Sequence, residues 1–176
     1  MSRPSLDEYL MSLAAVAALR TTCIRRGVGC VLADAHGRVL SVGYNGVARG
    51  QPHCNEGFGI ARPGELQYFP HACKGHDLPP GQDSCEAIHA EQNALVQCRE
   101  PDLIVTAYVT LSPCKACTKL LLGTMCTRIV FLEEHTDLAP MELWRGTGRT
   151  VERLPRSNHD LPWELKYRGT PYASKK

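Results

Sequence analysis

Apolar side chains recur at Leu6, Tyr9, Leu10, Leu13, Val16 and Ala17. Spacings of three and four residues gather them on one stripe, so residues 6–19 are predicted to form an amphipathic, core-packing helix with Ser5 as its N-cap. Two short β-rich runs follow, 28–34 and 38–43, joined by Ala35-His36-Gly37. They predict a hairpin in which His36 is a turn residue. Residues 87–98 read as a second helix stopped ahead of Pro101, and 103–111 as a buried strand bounded by Ser112-Pro113. Residues 114–122 suit a short helix closed by Gly123 at its C′ position, and 128–132 another apolar strand. Strand, helix, strand at this spacing predicts a crossover between parallel strands. Residues 150–154 suggest a last edge strand. The predicted architecture is α/β: a central mixed sheet of about five strands with helices on both faces, a three-layer α/β/α arrangement.

Periodicity is lost over residues 44–84, where Gly and Pro are dense and His53, Cys54, His71, Cys73 and His76 are interspersed. A loop of that length in a compact domain is expected to be functional or fastened by something. After Pro155 the chain turns polar. Residues 1–155 are therefore expected to form one domain that includes this loop, and 156–176 a weakly packed tail.

Composition changes this picture little. Over 176 residues, 43% hydrophobic and 22% charged content suits an ordinary globular domain. A formal charge of +2 is too mild to argue for nucleic acid, and no basic stripe supports an RNA-editing role. The chain shows no charged-then-apolar leader and no apolar run of membrane-spanning length, which leads to an expected cytoplasmic location without membrane partners. Nine cysteines, an odd count with histidines nearby, favour metal ligation over disulfides.

The candidate chemistry lies in two short motifs, His89-Ala90-Glu91 and Pro113-Cys114-Lys115-Ala116-Cys117. One imidazole and two thiolates suit a zinc whose fourth position stays open for water. Both motifs fall at predicted helix starts, where free N–H groups favour thiolates, and the i, i+3 spacing puts both sulfurs on one face. Glu91 is expected in the same pocket as a proton carrier rather than a ligand. H-x-E followed by P-C-x-x-C is the signature of zinc-dependent nucleobase deaminases, in which the Glu serves as general acid and base. A structural zinc knot is the alternative for an isolated C-x-x-C. Cys30, Cys98 and Cys126 sit in apolar patterns and read as core residues.

With these motifs in hand, the chain resembles the deoxycytidylate (dCMP) deaminases of the cytidine deaminase-like superfamily over most of residues 5–135. The resemblance is carried by Thr22-Cys23-Ile24-Arg25-Arg26, Val28-Gly29-Cys30-Val31, Gly43-Tyr44-Asn45-Gly46, His53-Cys54, the block from Cys85 through His89-Ala90-Glu91-Gln92-Asn93-Ala94-Leu95, and Thr110-Leu111-Ser112-Pro113-Cys114. It implies a cytidine deaminase-like fold and hydrolysis of dCMP to dUMP and ammonia, supplying dUMP for dTTP synthesis. It implies His89, Cys114 and Cys117 as zinc ligands and Glu91 as the proton shuttle. Asn45 would contact deoxyribose and base, and the Ala90 backbone and Ser112 would orient the pyrimidine edge. Asn45 also suits a left-handed turn, and Ser112 a loop or cap.

Arg25 and Arg26 stand ahead of the first strand, and Arg26 is the candidate for the substrate phosphate. His135 falls where phage-type members carry a Tyr that stacks on the substrate, which leaves dCTP or a 5-modified dCMP as alternative substrates. A non-catalytic nucleotide-binding protein on the same fold is a further alternative, disfavoured by the intact Glu91.

The resemblance also implies a second, structural zinc. Cys23 and Cys54 match two of its ligands, Cys85 is placed for a third, and Cys73, His71 or His76 would supply the fourth; buried free cysteines beside surface histidines are the alternative. A homo-oligomer, commonly a hexamer, with dCTP activating and dTTP inhibiting, is implied in the same way.

Overall fold

The computed structural model describes residues 3–56, 58–62, 65–69 and 85–155. Helix α1 (Leu6–Ala18) opens on the predicted cap. Ser5 Oγ accepts the Glu8 N–H at 3.2 Å, and Glu8 reaches back to the Ser5 N–H at 2.7 Å, a reciprocal capping box.

The predicted apolar stripe overlaps the buried face only in part: Leu10 and Ala17 are buried and Leu13 packs against the core. Leu6, Tyr9 and Val16 are each about half exposed, while Leu10, Met11, Ala14, Ala15, Ala17 and Ala18 face the core. The reason is how close the helix lies to the sheet. A Cβ built on Gly29 would stand 1.8 Å from the Ala14 carbonyl oxygen, so the helix turns its small residues inward.

Strands β1 (Gly29–Ala33) and β2 (Val39–Tyr44) form the predicted hairpin. Its turn is held by Asp34 Oδ1, which accepts the N–H groups of His36 and Arg38 at 2.8 and 2.9 Å. A second hairpin, β3 (Phe58–Arg62) with β4 (Glu65–Phe69), lies within the stretch expected to be structureless. Its short apolar alternation, broken by Gly59 and by Pro63-Gly64, was too brief to stand out.

Next come α2 (Ala90–Gln97), β5 (Thr106–Leu111), α3 (Lys115–Leu122), β6 (Arg128–Glu133), α4 (Ala139–Arg145) and β7 (Thr150–Arg153). Helix α2 starts three residues later than expected because Ile88 is bridged to Gly46 by paired N–H···O bonds of 2.8 and 3.1 Å. Strand β5 starts three residues late because Pro101–Leu103 coil into a 3-10 turn. Gly123 ends α3 in the right-handed region (φ −74°), not at the left-handed position its residue type suggested. Helix α4 was not predicted. Its signals are short: Asp137 accepting the Ala139 N–H, Pro140 in the first turn, and Met141 and Trp144 buried three apart.

The main sheet has the order β2-β1-β5-β6-β7. Pairs β2–β1 and β1–β5 are antiparallel, while β5–β6 and β6–β7 are parallel, as expected for the crossover and for an edge strand at 150–153. Alternate strand residues serve the two faces. Val31, Ala33, Tyr108, Val130 and Leu132 pack under α1, whereas Cys30, Leu32, Ala107, Val109, Ile129 and Phe131 join a cluster with Ala90 and Ala94 of α2, Leu121 of α3, and Met141 and Trp144 of α4. The result is the expected three-layer α/β/α fold. Among the described residues no helix is long and apolar enough to cross a membrane. The proposed tail, 156–176, lies outside the described residues.

Candidate active site

Topology brings the candidate residues to one end of the sheet. Strand β5 ends at Leu111, paired with Glu133 at the end of β6. Antiparallel β1 begins at that same end, where the Gly29 N–H donates to Thr110 Oγ1 at 3.1 Å and Gly29 pairs with Tyr44 at the end of β2. Residues 26–28, 45–46, 112–117 and 133–135 therefore surround a common region. The Gly46–Ile88 bridge adds the start of α2 to it.

Helix α2 is seated tightly. A Cβ on Gly43 would come within 2.2 Å of the Ala90 carbonyl oxygen and 2.4 Å of the Ala94 nitrogen, so only glycine admits the helix at this distance. Asn93 Nδ2 donates to the Tyr44 carbonyl at 2.8 Å and fixes the same contact. His89 occupies the N-cap position, and its backbone N–H donates to Gln92 Oε1 at 2.9 Å. Cys114 is likewise the N-cap of α3, with Cys117 in the first turn.

These two helix starts face each other. His89 Nδ1 lies 3.4 Å from the Sγ of Cys114 and 3.4 Å from the Sγ of Cys117, and the three donor atoms all lie within 4.8 Å of one another. A tetrahedral zinc about 2.1 Å from nitrogen and about 2.3 Å from sulfur would set nitrogen and sulfur about 3.6 Å apart. The donor set and its spacing both fit zinc. A hydrogen bond from Cys117, assisted by His89, holds the Cys114 thiol down to about 3, so one thiolate is already favoured. Cys117, donating to that thiolate and buried, is pushed well up.

Glu91 is buried, at 4% exposure, in the first turn of α2, two residues on from His89. Burial pushes its carboxyl above the usual range, while its own backbone N–H and nearby His89 pull the other way. A carboxyl raised by burial beside a cluster of metal-ligating atoms is suited to taking and returning a proton.

The remaining predicted residues occupy the same end of the sheet. Asn45, 9% exposed, clasps the approach to β1: its Oδ1 accepts the Val28 N–H at 2.8 Å and its Nδ2 donates to the Arg26 carbonyl at 2.8 Å. It is not in the left-handed region. Ser112 is buried, and its Oγ accepts the His135 N–H at 2.7 Å. Ala90 is fully buried at the first turn of α2. His135 Nδ1 accepts the Asp137 N–H at 3.0 Å, which leaves Nε2 to carry the proton of the neutral ring. Arg26 forms an ion pair with Glu133, a partner that sequence reasoning did not supply.

Among the described residues, His89, Cys114 and Cys117 are the group of three ligand atoms close enough to hold a metal; Cys23, Cys54 and Cys85 do not form another. The fourth-ligand candidates, His71, Cys73 and His76, lie outside the described residues. Cys30 and Cys126 are fully buried, and Cys98 packs against the same core, as their apolar contexts predicted.

Residues 4–133 match the family described as the cytidine and deoxycytidylate deaminase zinc-binding region. The chain belongs to this family. A deoxycytidylate deaminase of Mycobacterium phage D29 is 38% identical over 138 residues, covering 76% of this chain and 99% of the relative. The Schizosaccharomyces pombe deoxycytidylate deaminase is 40% identical over 118 residues, covering 66% of this chain but 33% of that longer protein. The dCMP deaminase of cyanophage S-TIM5, in complex with dCMP and dUMP, has the same fold, with a TM-score of 0.66 at 22% identity over 88% of this chain and all of the neighbour. A cytidine deaminase-like fold, a zinc-binding family and a gathered His/Cys/Cys group thus coincide in one chain, and the protein is an enzyme of the deaminase class.

Two supporting residues of this deaminase escaped sequence reasoning. Gln92 caps the helix that carries His89, and Glu133 engages Arg26. The first had a signal, since Gln at the third helical position commonly reaches back to the cap.

Proposed function

We propose that this chain hydrolyses dCMP to dUMP and ammonia. The observation that carries the reading is the meeting of His89, Cys114 and Cys117, with the buried Glu91 two residues on from His89 in the first turn of α2. His89, Cys114 and Cys117 would hold a zinc, which when bound lowers the pKa of water toward neutrality and activates it as a nucleophile. Glu91 would take the water proton, deliver it to the ring nitrogen next to the reacting carbon, and return a proton to the exocyclic amine as ammonia leaves. The Ala90 backbone and Ser112 would orient the pyrimidine edge, Asn45 the sugar and base, and His135 the outer face of the ring. Arg26 would meet the phosphate. The names of the phage and yeast relatives favour the monophosphate as substrate.

The same reading includes a supply of dUMP for dTTP synthesis, a homo-oligomer with a hexamer favoured, activation by dCTP and inhibition by dTTP, and a cytoplasmic location. A second zinc would be held by Cys23, Cys54 and Cys85, with a fourth ligand from Cys73, His71 or His76. Ammonia release by zinc-loaded protein, compared across cytidine, dCMP, dCTP and an adenosine oligonucleotide, tests the substrate. The reading expects dCMP to be preferred by a wide margin; a preference for dCTP would replace it, and no release from any of the four would remove the activity.

A further inference from the structure

The Arg26–Glu133 ion pair takes no part in the proton steps above. It joins residues 107 apart in the chain, one ahead of β1 and one at the end of β6. Both backbones are pinned: the Arg26 carbonyl accepts from Asn45 Nδ2 at 2.8 Å, and the Glu133 carbonyl accepts the Ser112 N–H at 2.8 Å. The pair therefore bridges the segment ahead of β1 to the end of β6 at the candidate site's end of the sheet. Its side chains are 47% and 30% exposed, open to an incoming charge. Pairs this exposed add little to stability, so effects on binding should dominate those on folding.

We propose that Glu133 sets how strongly the site responds to charge on its substrate: its carboxylate holds Arg26 and must share or surrender it when a phosphate arrives. The inference rests on the nucleotide reading above. A guanidinium offers five N–H donors in a plane and accepts a carboxylate or a phosphate equally well in shape. A phosphomonoester dianion carries more charge than one carboxylate and takes the guanidinium; an uncharged nucleoside cannot. Whether the phosphate displaces Glu133 or settles beside it, the carboxylate opposes the phosphate. Glu133 is thus a specificity residue acting through Arg26, and its removal should favour nucleotides over nucleosides.

The test uses zinc-loaded full-length protein, with steady-state kinetics on dCMP and deoxycytidine and equilibrium binding of dUMP and deoxyuridine. Glu133→Gln should lower KM for dCMP and Kd for dUMP about two- to five-fold, and leave the two nucleosides unchanged. Arg26→Gln should raise both nucleotide constants about ten-fold or more, and in that background Glu133→Gln should have no effect. Glu133→Asp, a milder change, should move the nucleotide constants in the same direction by less. An increase in KM for dCMP on loss of Glu133 would overturn the proposal, because the carboxylate would then be pre-orienting Arg26. Equal shifts for nucleotide and nucleoside would overturn it in favour of a structural role. Wild-type protein that accepts deoxycytidine but neither turns over dCMP nor binds dUMP would overturn the nucleotide reading together with this one.

Discussion

Asp7 and Arg128, 121 residues apart, meet in a two-pronged ion pair: Nη1 donates to Oδ1 at 2.8 Å and Nη2 to Oδ2 at 2.7 Å. Tyr108 adds its hydroxyl to Asp7 Oδ1 at 2.7 Å, so the start of α1 is tied to β5 and β6 together. The guanidinium holds the Asp7 carboxyl below the usual carboxylate range against the opposing effect of burial. A carboxyl whose folded pKa is depressed stabilises the fold above its unfolded value and loses that contribution as pH falls through the folded value. Asp7→Asn should therefore cost about 1–2 kcal/mol at neutral pH. The gap in melting temperature between wild type and variant should close as pH falls below about 3.8, which thermal melts from pH 7 to pH 2.5 would check.

Removing a ligand should separate metal binding from folding. Cys114→Ser or Cys117→Ser should lose the catalytic zinc and all measurable deamination, yet keep the helical circular dichroism of wild type, because Ala90 and Ala94 of α2 and Leu121 of α3 anchor both helices in the apolar core. Metal analysis of wild type should give two zinc ions per chain if the second site forms, with Cys54→Ser reducing the count to one. A wild-type count of one would remove the second zinc.

Glu91→Gln keeps the shape of the side chain and removes its proton chemistry. Turnover should fall by about 100- to 10,000-fold while zinc content stays at the wild-type value. A variant that lost the metal as well would show Glu91 to be needed for the ligand set rather than for proton transfer.

The corrected face of α1 makes a stability prediction that needs no assay of function. Leu10→Ala, on the buried face, should cost about 2–5 kcal/mol in urea unfolding. Val16→Ala, on the exposed face, should change stability by less than about 0.5 kcal/mol. Equal costs would restore the stripe read from the sequence.

How legible the molecule was depended on the kind of signal. Ser5, the hairpin around His36 and the strand pairs 106–111 and 128–133 were readable because caps, turns and apolar runs are local. So was the meeting of His89, Cys114 and Cys117, since the two motifs mark their own helix starts. The burial of α1 was only partly legible: Leu10 and Ala17 face the core as read, but Leu6, Tyr9 and Val16 do not, because Gly29 lets alanines approach the sheet more closely than leucines could. Helix α4 and the second hairpin were too short for periodicity to rise above their Gly and Pro neighbours. The pairing of Arg26 with Glu133 depends on which strand ends lie side by side, and no local pattern encodes that.

His89 and Cys114 each occupy the cap of a helix rather than its body. The outward faces of both helices, where Val96 is 85% exposed and Leu120 46%, therefore take no part in bringing the three side chains together. Sequence change there can proceed while the geometry at the caps stays as it is.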